Sequence, residues 1–298
     1  MTWRRPCEEL PPGRQHPGPP NVDWLRSDVV EDCKGLGTPA NSAQINPFLF
    51  TQRIRNEAGK AGVTFCTHTK VTKLVYSSTR DKIEGIRYKT GTITKTLGAD
   101  DVIVAAGPWS SSLLPTLRMG HPRSHSIVVR TPKTLAGNIL FPIYEQENST
   151  AHTNGTYPEI YPRPPDSINA FPTVYCCGPD DKDVPLPETS RHVQVDDRAI
   201  GELHGALKGV TELGEEELLV RQACYKPQLR DHGENEEVGP AVGPVEGVKG
   251  LWVATGHDEW GVSNAPATGV VMAEWVMDGG PGSLGEGCEV LDPKLYMG

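Results

Sequence analysis

The clearest hydrophobic pattern lies near the C-terminus. Leu251, Trp252, Val253 and Ala254 form an apolar run long enough for one buried strand. Gly256 and Gly261 follow, where the backbone can approach a ligand with no Cβ in the way. Asn264 and Pro266 suit the cap and first turn of a helix. That helix is expected to reach about Met277, with Asp278, Gly279, Gly280 and Pro281 as the stop. Strand, glycine loop and helix together aim unpaired N–H groups and a positive helix end at something electron-rich.

Upstream, Pro47 opens a helix through PFLFTQRIRNEAGKAG, with Phe50, Ile54 and Ala58 spaced as one face and Gly62 as the stop. Strands are predicted over 64–68, 73–77, 83–88 and 93–96. The run 102–106 is continuously apolar, as in parallel strands covered on both faces, and Gly107–Pro108 ends it before a short helix from Trp109 to Leu114. From about 121 to 231 the character changes. Strand patterns at 126–130, 138–144, 159–163, 173–178 and 218–226, with a helix over 197–207, read as an antiparallel sheet inserted into a parallel one. The chain returns through 239–245 to the closing strand. Residues 1–40 are proline-rich and largely irregular. Their GLGTPA is formally G-x-G-x-x-A at Gly35, Gly37 and Ala40, but no strand precedes it and no helix follows.

Composition narrows the class. Over 298 residues, hydrophobic content is 37% and charge 22%, a globular balance with no run long enough for a membrane span. A net charge of −9 argues against a nucleic-acid surface. Seven cysteines without a C-x-x-C pair, and no apolar leader after Arg4–Arg5, predict a reduced, intracellular (cytoplasmic) chain. The sequons at Asn148 and Asn154 are then accidental.

Four segments, in order, carry a family likeness: QINPFLFTQRI, DDVIVAAGPWS, YPRP with VYCCG, and GHDEWGVSNAPATG. With these the chain resembles the D-amino-acid oxidase, glycine oxidase and sarcosine oxidase group of FAD-dependent oxidoreductases. The likeness is closest to a fungal branch of unsettled substrate. It implies a mixed α/β (α+β) fold: an incomplete FAD-binding Rossmann-like domain over 41–120 and 232–280, a mainly antiparallel substrate domain over 121–231, and a tail over 281–298. It also implies roles. Thr69 to Val71 would pack beside the adenosine half of FAD, and Ala106, Gly107 and Pro108 would pass close to the dinucleotide. Gly256, His257, Gly261, Val262 and Ser263 would line the flavin ring, with Thr268 in the helix aimed at it. The family's opening strand–G-x-G-x-x-G–helix, which holds the pyrophosphate, has no counterpart before Asn46.

Catalytic candidates are Arg163, Tyr225, Lys226 and His257. Arg163 suits a bidentate grip on a substrate carboxylate, and Tyr225 and Lys226 fall where the family places substrate-facing residues. His257 can hydrogen-bond flavin or substrate, or brace its own loop. Each of the others can equally be an ordinary sheet residue. His121 and His125 have metal-like spacing without a third ligand, so no metal is expected. Asp180, Asp181 and Asp183 read as a solvated acidic loop, and Cys176–Cys177 as strand packing. GVSNA misses G-x-S-x-G by one residue and lies well beyond its strand, which removes a serine hydrolase. Two functions stay open. One is oxidation of an amine or amino-acid-like small molecule on flavin; the other is a truncated or catalytically silent relative that serves as a binding module.

Overall fold

A computed structural model describes residues 22–29, 35–38, 40–142, 158–182, 184–213, 217–230, 237–285 and 288–298. The expected irregular residues 1–21, both sequons and Asp183 lie outside these. In chain order come helix α1 (Pro47–Lys60), strands β1 (Thr69–Tyr76), β2 (Ile83–Thr90), β3 (Ile93–Gly98) and β4 (Val102–Val104), and helix α2 (Ser110–Leu113). Next are β5 (Met119–Gly120), β6 (Arg123–Arg130), β7 (Glu159–Arg163), β8 (Thr173–Asp181) and helix α3 (Asp197–Val210). The chain closes with β9 (Leu218–Tyr225), β10 (Gln228–Arg230), β11 (Glu237–Val238), β12 (Ala241–Pro244), β13 (Leu251–Thr255) and helix α4 (Gly261–Asp278). Two compact units share this chain: 1–43, 125–179 and 194–223 make the first, and 44–124, 180–193 and 224–298 the second.

In the first unit four strands lie in the order β7-β8-β6-β9, with β7 and β8 antiparallel. Alternation along β7 and β8 sends Ile160, Val174 and Cys176 into the core, all fully buried. Helix α3 covers that core with Ile200, Leu203, Leu207 and Val210, a spacing that keeps them on one face. Asp196 caps α3 by accepting from the N–H groups of Arg198 and Ala199. Buried His125 serves the same cap, its Nε2 accepting from the Asp196 N–H at 3.0 Å. Trp24, 1% exposed, closes the core and donates to the Ala136 carbonyl.

The second unit contains three small sheets. β1, β2 and β3 form an antiparallel meander, and β11, β10 and β5 a second antiparallel set. The third has the order β12-β13-β4, with β13 antiparallel to β12 and parallel to β4 in the register Leu251–Val102, Trp252–Ile103, Val253–Val104. Val104, Leu251 and Val253 join Leu74, Ile83, Leu229 and Tyr296 in its main core. The expected tail therefore packs: Tyr296 is 4% exposed and the Gly298 N–H reaches the Thr116 carbonyl. Among the described residues no helix is long and apolar enough to cross a membrane.

Some expectations need correction. Residues 64–68 do not form a strand: His68 adopts a left-handed φ of 55°, which turns the chain before β1 can begin. β4 is not covered on both faces, because Ile103 is 46% exposed among the described residues. The Phe50, Ile54, Ala58 stripe forms on α1 as expected, with Asn46 capping, yet none of α1 is buried by the described residues. Spacing specifies a face, not what covers it.

Leu207 sits wholly inside the first unit's core. Replacing it by Ala is expected to cost about 2–5 kcal/mol. Urea unfolding checks this: the midpoint should fall with an unchanged slope, and an unmoved midpoint would contradict the packing described.

Candidate functional site

β4 and β13 run parallel and end side by side, and each passes through a glycine turn directly into helical structure. After β4 the turn is Ala106–Gly107–Pro108, followed by a 3-10 turn (Gly107–Trp109) and α2. After β13 it is Gly256–His257, followed by a 3-10 turn (Asp258–Trp260) and α4. The crevice outside the carboxyl ends of parallel strands is where α/β sheets bind ligands.

Two buried hydroxyls tie the turns together. Ser110 Oγ, fully buried in α2, donates to Thr255 Oγ1 at the end of β13 at 3.1 Å. Thr255 Oγ1 in turn donates to the Gly107 carbonyl at 3.2 Å. Both glycines have conformational reasons to be there. Gly107 has φ 55°, and a Cβ at that position would meet none of the described residues within 4 Å, so among them the turn is open. Gly256 has φ 88°, and its Cβ would lie 2.4 Å from Leu229 Cδ1, so nothing larger fits.

Helix α4 begins at Gly261, earlier than the Asn264–Pro266 start expected from sequence. The preceding 3-10 turn winds straight into it, which places Pro266 inside the helix and leaves the Val262 carbonyl without its usual N–H partner. Trp260 precedes the helix and makes no side-chain cap to it among the described residues. Among the described residues Gly261 has only the His257 Cβ, 3.9 Å away, near its missing side chain, and Val262 and Ser263 are exposed. His257 Nε2 lies 2.8 Å from Thr268 Oγ1, about two turns up α4. Burial pulls the His257 pKa below its ordinary value, so the ring is neutral near pH 7. Bridging of Gln228 to His257, and an Asp258 N–H donated to the Pro227 carbonyl, pin this loop to β10.

The other candidates separate. Lys226 does reach this loop. Its Nζ lies 2.8 Å from Asp180 Oδ2 and 3.2 Å from Glu259 Oε2, with the side chain 16% exposed. Burial pulls the Lys226 pKa down, but the Asp180 hydrogen bond and the charges of Asp180, Glu259 and Asp258 outweigh it and raise the net value. Tyr225 is buried and spends its hydroxyl on the Pro185 carbonyl at 2.9 Å. Asp180 and Asp181 are not a solvated loop: Asp180 pairs with Lys226, and Asp181 with the buried Arg123 guanidinium at 2.8 Å. Sequence reasoning missed these partners because they lie far apart in the chain. Ser110 and Thr255 carry no motif signal at all. Val71 lies on β1, opposite Tyr88 in the meander.

Arg163 belongs to the first unit. On the face of β7–β8 opposite the core, its guanidinium lies 4.2 Å from the Tyr175 ring centroid and 5.2 Å from that of Tyr161. It donates to the Tyr161 hydroxyl at 3.1 Å, while its Nε is buried without a hydrogen-bond partner among the described residues. This holds the planar fork rigidly with donor capacity to spare. Cys176 is inert packing, its thiol pushed well up by burial and then by Cys177.

These residues fit the ring half of a flavin. Among the described residues, an open-faced glycine turn, a helix N-terminus without a side-chain cap and the exposed residues Val262 and Ser263 lie at two adjacent strand ends. For the pyrophosphate half the described residues offer no strand–G-x-G-x-x-G–helix unit. Gly35, Gly37 and Ala40 lie outside any helix or strand.

The family model described as FAD dependent oxidoreductase matches residues 3–275. The Saccharomyces cerevisiae protein named "Putative oxidoreductase TDA3" is 31% identical over 98% of this chain, which spans 58% of that relative's length. "Putative oxidoreductase C1F5.03c" of Schizosaccharomyces pombe is 29% identical over 93% of this chain and 70% of its own. Glycine oxidase from Bacillus cereus shares the fold with a TM-score of 0.57 at 22% identity, over 78% of this chain and 57% of that one.

Lys226→Met keeps the stem but strands Asp180, and should cost about 1–3 kcal/mol. The folded pKa of Lys226 is raised above 10.5, so the pair contributes fully below that pH and fades as pH climbs through the folded value. Denaturation of wild type and variant from neutral to strongly alkaline pH should show a gap that closes only at the alkaline end. A gap that closes toward acid instead would contradict this.

Proposed function

Since the chain belongs to the family of FAD-dependent oxidoreductases, we propose that the protein oxidises an amine or amino-acid-like small molecule, its hydride passing to flavin. The observation that carries this reading is the pair of parallel strand ends, β4 and β13, locked together by Ser110 and Thr255. Flavin, when bound, supplies the two-electron chemistry, and the protein supplies orientation and electrostatics. Ala106, Gly107 and Pro108 bring backbone close to the cofactor. Gly256, His257, Gly261, Val262 and Ser263 line the ring side, and Val71 sits toward the adenosine side. The N-terminal N–H groups of α4 favour negative charge in front of them by about 0.3–2 kcal/mol.

Arg163 is the candidate anchor for a substrate carboxylate. Its guanidinium is fixed on two tyrosine rings, so little side-chain freedom is lost when a carboxylate binds. Lys226 braces the loop through Glu259, and Tyr225 is structural.

Anaerobic titration of the flavin-loaded protein with a panel of amines and amino acids tests the proposal without assuming an electron acceptor. A substrate should bleach the visible flavin absorbance. Arg163→Met should weaken carboxylate-bearing substrates about 10- to 100-fold while sparing amines that lack a carboxylate. Failure of the whole panel to bleach bound flavin would overturn the oxidase reading and leave a binding role.

A further inference from the structure

The hydrogen bonds of Thr268, in the first half of α4, point to one tautomer of His257. Thr268 has one hydroxyl proton, and Thr268 Oγ1 donates it to the Asn264 carbonyl at 3.1 Å. A carbonyl cannot donate, so in the 2.8 Å contact with His257 Nε2 the threonine is left as acceptor. That arrangement puts the ring proton on Nε2. A neutral imidazole holds only one, which leaves Nδ1 with an open lone pair. Nδ1 makes no hydrogen bond to the described residues and is not sealed in the interior. It is held at the strand-end crevice, in the turn between Gly256 and α4.

From this geometry we infer that His257 is a base with a fixed tautomer, its Nδ1 accepting the proton of a substrate ammonium while Nε2–H stays bonded to Thr268. The inference rests on the amine-oxidase reading above. In the step, an ammonium N–H bond breaks and an Nδ1–H bond forms. The amine regains the lone pair it needs before it can give up hydride, and the imidazolium keeps its Nε2–H···Oγ1 contact. The charges around the ring suit a cation: Asp258 and Glu259 belong to its own turn, while Lys226, from the link between β9 and β10, is occupied by Asp180 and Glu259. Burial keeps the ring neutral and ready to accept.

Long-range 1H–15N spectra of histidine-labelled protein read the tautomer directly, with the His257 signals assigned by their loss in His257→Gln. At mildly alkaline pH the wild type should show Nδ1 unprotonated and Nε2 protonated. Thr268→Ser should keep that pattern and Thr268→Val should mix the tautomers. A protonated Nδ1 in the wild type, or identical behaviour of the two variants, overturns the inference. Gln at 257 can still donate to Thr268 but has no acceptor at the Nδ1 position. In the flavin-loaded protein it should therefore keep the folding midpoint yet lose about 100-fold in kcat for amine oxidation. Unchanged kcat would reduce His257 to a loop brace and overturn the base role. The tautomer is read without cofactor or substrate, so its failure is distinguishable from failure of the oxidase reading.

Discussion

The site depends on one buried hydrogen-bond chain, Ser110 Oγ to Thr255 Oγ1 to the Gly107 carbonyl. Parallel strands β4 and β13 bring two turns to the same edge, but pairing alone does not fix how the chain leaves a strand. The hydroxyl chain does. It joins the first residue of α2 to the last residue of β13, and it orients Gly107 while Gly256 starts the turn into α4. Both hydroxyls are buried, so breaking the chain strands polar groups away from water, at about 1–3 kcal/mol each.

Around that chain, side chains divide their labour by burial. Gly256 packs against Leu229 and makes the loop rigid; Gly107 is open among the described residues and leaves room. Lys226 draws Asp180 and Glu259 together at the far side of the loop, and His257 reaches up α4 to Thr268. Rigidity on one side and uncapped backbone on the other is what an orienting site for a planar cofactor requires.

Much of this was legible in the sequence. The apolar run before Gly256 predicts β13, and the strand patterns at 159–163 and 173–178 predict β7 and β8. The segments AAGPW and GHDEWGVSNAPATG carry the family. What stayed hidden has a common cause. The Ser110–Thr255 bond, the Lys226–Asp180 pair and the Tyr225–Pro185 contact each join residues distant in the chain, and none leaves a local pattern. Local signals also misplaced the start of α4. Asn264 and Pro266 look like a cap and first turn, yet the 3-10 turn over Asp258–Trp260 had already nucleated the helix. The acidic run 180–181 looked solvated because its cationic partners, Arg123 and Lys226, are invisible from within it.

Flavin binding by the purified chain tests the central claim most directly. FAD titrated into wild type and Thr255→Val, followed by the flavin absorbance and fluorescence, should bind saturably to the wild type. The variant should bind about tenfold more weakly, as expected when roughly 1.4 kcal/mol of orienting structure is lost. Absence of saturable binding, or equal affinity in the two proteins, would contradict the account.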